Sequence, residues 1–361
     1  MEERQELIFP FYARLALVLL AILLISMFMV EGRQIIIPLF FSVLFAFVLL
    51  PLTKWLEHLI SKWLAAFISI LLFLVFIAGV IYFLGVQVVE FSRDLPLLGQ
   101  KIQDWVFHLQ NMIARHFQVD ASAQLDYFQK STDRIITEAS IIAQNLVLAI
   151  SGFAIWTIFV FIFTYFILTH RGLLKRFLVA LFTESNQPRV YEIVSETRYL
   201  AKNYILGLLV EMLVVGVLNV SLLLLFGIRY AMLLGVLAAV LNIIPYLGIY
   251  TATALAAIIT LSNSSSANAI IVIITLLAVH FVDANLLLPN IVGRRVKMNP
   301  LITIVAVLVG NIMWGIPGMF LFIPLVGFMK IIFERVDSLK PWALLMGTEK
   351  EISQLTTNKS E

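Results

Sequence analysis

The amino-acid sequence predicts an all-α integral membrane protein, and three observations carry that prediction. Of 361 residues, 61% are hydrophobic and only 13% are charged. An ordinary soluble domain is about 45–50% apolar and about 25% charged. Lys and Arg are absent from the stretches 34–53, 63–89, 139–169, 203–228, 230–293 and 298–329, and apolar runs of that length read as membrane spans. Two of the longest stretches are interrupted internally by proline and glycine, so they are expected to break rather than cross as one rod.

Taken in order, the stretches 12–30, 34–53, 63–89, 146–169 and 203–226 each suit one helix of about 20 residues across a hydrocarbon core of about 30 Å. A sixth covers 268–289. The first run ends at Glu31-Gly32-Arg33 and lacks a small-x-small cleavage site, so it is expected to be retained as a helix rather than removed. The segment 230–262 is broken at Asn242-Ile-Ile-Pro245-Tyr246-Leu-Gly248. The segment 300–334 is broken at Gly310-Asn311-Ile-Met-Trp314-Gly315-Ile-Pro317-Gly318. An arm of about 14 residues reaches only about 21 Å, short of a full crossing. The expectation is therefore five to six full transmembrane helices plus two broken or re-entrant helical hairpins. The competing reading is a pair of long, kinked and tilted single helices.

Basic residues favour the hairpins. With the N-terminus inside and both broken stretches returning to their own side, 18 of the 25 basic residues lie inside and 7 outside, as the positive-inside rule requires. A single crossing at 230–262 would instead put the basic run Gly293-Arg-Arg-Val-Lys297 outside. In the hairpin topology the units 203–262 and 268–334 are related by inversion, and paired interrupted segments of this kind are the sequence pointer to a transporter binding site.

The chain divides accordingly. Residues 1–89 hold the first three transmembrane helices, and 90–145 form an insert on the outer side. Its residues Ile102, Trp105, Val106, Leu109, Met112, Ile113 and Phe117 recur at helical spacing, an amphipathic helix read as a packing element before a substrate-capturing one. Residues 146–202 hold helix four and a basic inner connector with helical character. Residues 203–334 are the expected transport core, and 335–361 a tail on the inner side.

Of 22 acidic residues, only Glu211 and Asp283 sit well inside spans, and His280 is the one histidine there. Ionisable groups at that depth are costly and usually face an interior or a watery cavity. Both carboxylates are candidate carriers of a proton or a cation; the alternative is a structural role tying helices together. His280, Asp283, Leu287 and Asn290 follow i, i+3, i+7, i+10 spacing and are expected on one helix face. The broken segments add Asn242, Tyr246, Asn311 and Trp314 at their tips, where backbone freed at membrane depth must find partners. Gly310, Gly315, Pro317 and Gly318 are the candidate hairpin hinges.

Other chemistries lack their signatures. There is no cysteine, hence no thiol nucleophile, disulfide or Cys-ligated metal. No HExxH, GxSxG or Walker loop is present, so neither an enzyme nor a bound cofactor is expected, and His280-x-x-Asp283 alone is a weak metal signal. A net charge of +3 gives nucleic acid no electrostatic footprint.

The series Gly227-Ile-Arg-Tyr-Ala-Met-Leu-Leu-Gly235, Asn242-Ile-Ile-Pro245-Tyr-Leu-Gly248 and Asp283-Ala-Asn285-Leu-Leu-Leu-Pro289, followed by Gly293, Asn299-Pro300, Gly310, Gly315, Gly318 and Pro324, resembles the autoinducer-2 exporter family of bacterial membrane proteins over nearly the whole chain. The resemblance implies a homo-oligomer, a pentamer in similar proteins, in the inner membrane, and the charge pattern puts both termini on the cytoplasmic side. It also implies transport, ranging from export of a signalling furanone to sodium–proton exchange. Pro245, Gly248, Asp283, Asn285 and Pro289 match the family pattern, whereas Glu211 falls outside it. Two readings remain open: a secondary transporter for a small molecule or a cation, and a non-transporting membrane scaffold. Transport predicts that Asp283 and the two tips line a hydrated cavity; a scaffold predicts a dry, fully packed interior there.

Overall fold

The computed structural model describes residues 10–92, 156–244, 247–288, 290–291 and 298–347. The amphipathic insert, the basic run 294–297, Pro245, Tyr246, Pro289 and the tail beyond residue 347 lie outside the described residues. All regular structure among the described residues is helical. Helix α1 covers Phe11–Glu31, α2 Arg33–Glu57 and α3 Lys62–Ser92. Helix α4 covers Trp156–Ala180 and α5 Gln187–Leu225. Then come α6 at Ala231–Leu241, α7 at Leu247–Asn263 and α8 at Ser266–Val282. Helix α9 covers Pro300–Trp314, α10 Ile316–Arg335 and α11 Lys340–Met346.

Seven of these stretches are long and apolar enough to cross a membrane. Six correspond to the six expected full spans, and the seventh is α10. With no water in the hydrocarbon core to take its N–H and C=O groups, a spanning chain must satisfy them internally, which the helix does. Leu, Ile, Val and Phe side chains crowd the outer faces, as lipid permits. Helix α1 is the extreme case: none of its residues is buried.

Both broken segments fold back. In a straight helix residues 310 and 318 would stand about 12 Å apart. Here their backbones touch, and a Cβ on either would overlap the other's carbonyl oxygen. Gly315 makes the turn with φ 65° and ψ −143°, a region essentially restricted to glycine. Glycine at 248 likewise lets α7 start against the carbonyl of Leu241, with its N–H bonded to Ile244 O at 3.0 Å. The kinked-rod alternative is thereby excluded for both. One expectation needs correction. Arms too short to cross are expected, which suits α6 (11 residues), α7 (17) and α9 (15), but α10 has 20 residues. The second hairpin therefore pairs one short arm with one of full span length, because its break falls at Gly315 and not at the midpoint of 300–334.

Helix α5 is the central post. The first hairpin packs on its C-terminal half with α8, through Leu223, Leu233, Leu234, Ala252, Val272 and Leu276. The second hairpin packs on its other half with α2, through Ile37, Leu44, Tyr204, Trp314, Leu321 and Phe322. Helices α2, α3 and α4 form a third cluster around Leu49, Ala66 and Leu168. Hydroxyls link them: Ser42 reaches Val160 O at 2.9 Å, and Thr53 donates to Ser69 at 3.0 Å. Such bonds hold helices together where lipid gives no hydrophobic drive to association.

Ion pairs gather at one end of the bundle. Arg171 of α4 grips Glu57 of α2 with both guanidinium nitrogens, one at 2.7 Å. Arg335 at the end of α10 pairs with Glu192, at 3.1 Å, and with Glu196, both near the start of α5. These helix ends are the ones the charge pattern assigns to one common side. The connector 170–202 is helical as expected, since α4 runs on to Ala180 and α5 starts at Gln187 after a short turn.

The turn of the second hairpin is fastened to the N-terminal helix. Trp314 is 5% exposed, and its indole N–H donates to Met29 O at 2.9 Å. Its ring packs on Phe40 and Phe322. Trp314→Phe is expected to lower stability by about 1 kcal/mol through the lost donor, read as a lowered melting temperature of the purified protein in detergent.

Candidate functional site

The two deep carboxylates meet. Glu211 stands near the middle of α5, Asp283 just beyond α8, and Asn242 at the end of α6 where the first hairpin breaks. The Asn242 amide nitrogen lies 2.9 Å from Asp283 Oδ2 and 3.4 Å from Glu211 Oε1, donating to both. One amide thus clips together residues from three helices. Glu211 is 4% exposed and Asp283 2%. Glu211 Oε2 and Asp283 Oδ1 are buried and accept from no donor group among the described residues, and the two carboxyl groups stand within hydrogen-bond reach of each other. Two buried carboxyl groups this close cannot both stay charged without a proton or a positive charge beside them. The charged groups that bear on it are the two carboxylates themselves and His280, one turn before Asp283. The Nδ1 of His280 is also buried without a described partner.

The backbone at Asp283 is unusual. The helix widens into a π turn over Asp283–Leu287, a feature frequent at functional sites. It also alters the expected face. Simple helical spacing put Asp283, Leu287 and Asn290 together, but the wide turn changes the rotation, leaving Asp283 buried, Leu287 half-buried and Asn290 exposed. Asn285 and Asn290 are exposed and turn back on their own helix, to Phe281 O at 2.8 Å and Leu286 O at 2.6 Å. Neither joins the carboxylates. Asn311 is exposed, Gly248 is buried, and Trp314 is spent on Met29.

A small apolar layer caps the pair. Val215, Ala239 and Val279 form a cluster, each close to one helical turn from Glu211, Asn242 or Asp283 respectively. One turn beyond lies Asn219, 2% exposed, whose Oδ1 is buried and unpartnered among the described residues, with buried Thr275 at the matching level of the antiparallel α8. Sequence reasoning missed Asn219 because it looked for charge. Its spacing of four and eight residues from Val215 and Glu211 was the available signal.

On the other side of Asn242 lies a cavity of about 730 Å³. The two hairpin breaks meet there: Ile243 and Ile244 from the first, Ile316, Pro317 and Phe320 from the second. Helix α3 lines one side with Phe73, Phe76, Ile77, Val80 and Ile81, of which Phe76 and Ile81 are exposed, and α5 lines another with Leu208 and Met212. Among the described residues no cluster of three or more potential metal ligands occurs.

With this geometry in view, similarity to known proteins adds a family. The model of the AI-2E family transporters matches residues 16–338. The Bacillus subtilis protein named "Putative transport protein YrrI" is 28% identical over 322 residues, 85% of this chain and 88% of that one. "Putative transport protein YhhT" of Escherichia coli K12 is 24% identical over 331 residues, 90% and 91% of the two chains. "Putative transport protein YueF" of Bacillus subtilis is 38% identical over 111 residues, 30% of each. With seven apolar helices long enough to span and a family match over most of its length, this multi-pass membrane protein belongs to the AI-2E transporter family and has a role in membrane transport.

Proposed function

We propose that this chain is a secondary transporter whose exchange site is the Glu211–Asn242–Asp283 clip. The single observation that carries this reading is the clip itself: two buried carboxyl groups share one amide donor and stand within hydrogen-bond reach of each other. Two negative charges at that spacing, away from water, need a proton or a cation between them. A site that must hold one or the other is the elementary unit of proton–cation or proton–solute exchange. Residues 203–334 act as the transport core, with the hairpin tips moving against α5. The protein works in the bacterial inner membrane, with both termini cytoplasmic and several copies assembled together.

Export of a small signalling molecule and exchange of a cation for protons both draw on this site. The cavity beside the clip is lined by the two hairpin breaks, but its described lining is apolar and does not include Asp283, so it does not separate transport from a scaffold. Nothing in the arrangement calls for catalysis.

Flux in proteoliposomes tests the proposal. Sodium, proton and small-solute movement is followed under imposed pH and sodium gradients, one gradient at a time. Movement of a solute or cation that collapses with the opposing gradient is the expected result. Liposomes holding the protein that leak no faster than empty ones under every gradient would return the chain to the scaffold reading.

A further inference from the structure

The clip leaves one neighbour without a task. His280 precedes Asp283 by one turn of α8, and the Asp283 N–H bonds back to the His280 carbonyl. Side chains at that spacing start about 5–6 Å apart, and the charge of His280 bears on Asp283. Of the two ring nitrogens only Nδ1 is buried without a partner, while the residue as a whole is half-buried. The ring therefore has an inner and an outer nitrogen. Other polar side chains near the clip are already spent. Asn285 and Asn290 turn back on their own helix. Tyr204, two turns before Glu211 on α5, gives its hydroxyl to Phe320 O at 3.4 Å. Among the described residues His280 is the titratable neighbour that keeps an unused acceptor.

We infer that His280 is the proton relay of the clip, exchanging with Asp283 at Nδ1 and with water at Nε2. This deepens the transport reading above and rests on it. Imidazole suits the task because one nitrogen accepts while the other donates. With its hydrogen on Nε2, the ring offers a lone pair at Nδ1. The O–H bond of the Asp283 carboxyl breaks and an N–H bond forms at Nδ1, leaving a carboxylate and an imidazolium. The Nε2–H bond then breaks, and the proton leaves on a water molecule as hydronium. The ring is now neutral with its hydrogen on Nδ1. Rotation of the side chain brings Nδ1 to the open side, where exchange with water restores the starting tautomer. Run backwards, the same steps load the carboxyl pair.

Infrared difference spectra of the purified full-length chain in detergent, followed after a rapid pH jump, test the relay without reference to any solute. A carboxylic acid C=O band is expected that is lost in Glu211→Gln/Asp283→Asn, which assigns it to the pair. In His280→Gln the band should reach the parent amplitude about a hundredfold more slowly, the lower end of what a positioned proton-transfer group supplies. His280→Phe keeps a ring of similar breadth and should be equally slow, and it stands in if the glutamine variant fails to fold. Melting temperatures close to the parent are expected for the variant used, since a ring that only packs would alter stability and leave the rate alone.

A parental rate in either folded variant overturns the relay and leaves the exchange site standing. Slowing found only in variants that melt well below the parent makes His280 structural and also overturns it. A parent in which no band of the pair responds to pH removes the relay and proton exchange together. The expected pattern in a protein without gradient-driven flux keeps His280 as the route to the pair and overturns transport alone.

Discussion

Gly318→Ala should cost the protein its second hairpin. The added methyl would overlap the carbonyl oxygen of Gly310, stand 2.6 Å from its carbonyl carbon and 2.9 Å from Trp314 Cβ. The obstacle is backbone, which has no alternative rotamer to adopt. The arms must separate, and separation loosens Trp314, Leu321 and Phe322 from α2 and α5. Overpacking a close contact typically costs about 1–3 kcal/mol and occasionally more, and the rigidity here puts Gly318→Ala at about 3 kcal/mol or above. It is read as loss of the monodisperse peak on size exclusion or a large fall in melting temperature. Gly79→Ala on α3 is the control, since its Cβ would meet nothing within 4 Å and alanine is the better helix former by about 1 kcal/mol. Equal melting temperatures for the parent and Gly318→Ala would refute the backbone contact.

The second large effect is on transport and spares stability. Glu211→Gln and Asp283→Asn preserve shape and leave an amide oxygen to accept from Asn242. They remove the charge that the proposed exchange would neutralise in each half-cycle. Each variant is expected to lower gradient-driven flux at least about a hundredfold, about 2.7 kcal/mol in barrier. Replacing buried charge with neutral groups of like volume is often neutral or stabilising, so both variants should melt at or above the parent temperature. Unaltered proton-coupled flux in both would remove the clip from the mechanism. Asn242→Leu separates the roles. It keeps both charges, loses the shared donor, and should destabilise by about 2 kcal/mol in a thermal unfolding assay.

Much of this architecture could be read from residue order because lipid narrows the options. A stretch such as 63–89 without Lys or Arg has nowhere else to go, and it is helical in α3. Asn242 and Gly315 marked the breaks because helix continuity fails where proline and glycine gather. Glu211 and Asp283 stood out by their depth alone. Their meeting did not, because they lie on helices far apart in sequence and no local period connects them. The π turn at Asp283 was invisible to a 3.6-residue rule and so misplaced Asn290. The length of α10 depended on which of the glycines between 310 and 318 makes the turn, and only the φ of Gly315 decides that. Trp314, read as a tip residue, does stand at the tip and also fastens it to α1, since indole is both apolar enough to bury and able to give one hydrogen bond.

Asn242 terminates α6 at the point where the chain reverses, so whatever sits between the two acids also decides how firmly that reversal is held. A donor shared by two oxygens is at its strongest while both are negative, and it weakens when a proton occupies one of them. Occupancy is thereby converted into slack or tension at a bend in the chain. In the exchange proposed above, the amide would be a latch and the proton or cation its key.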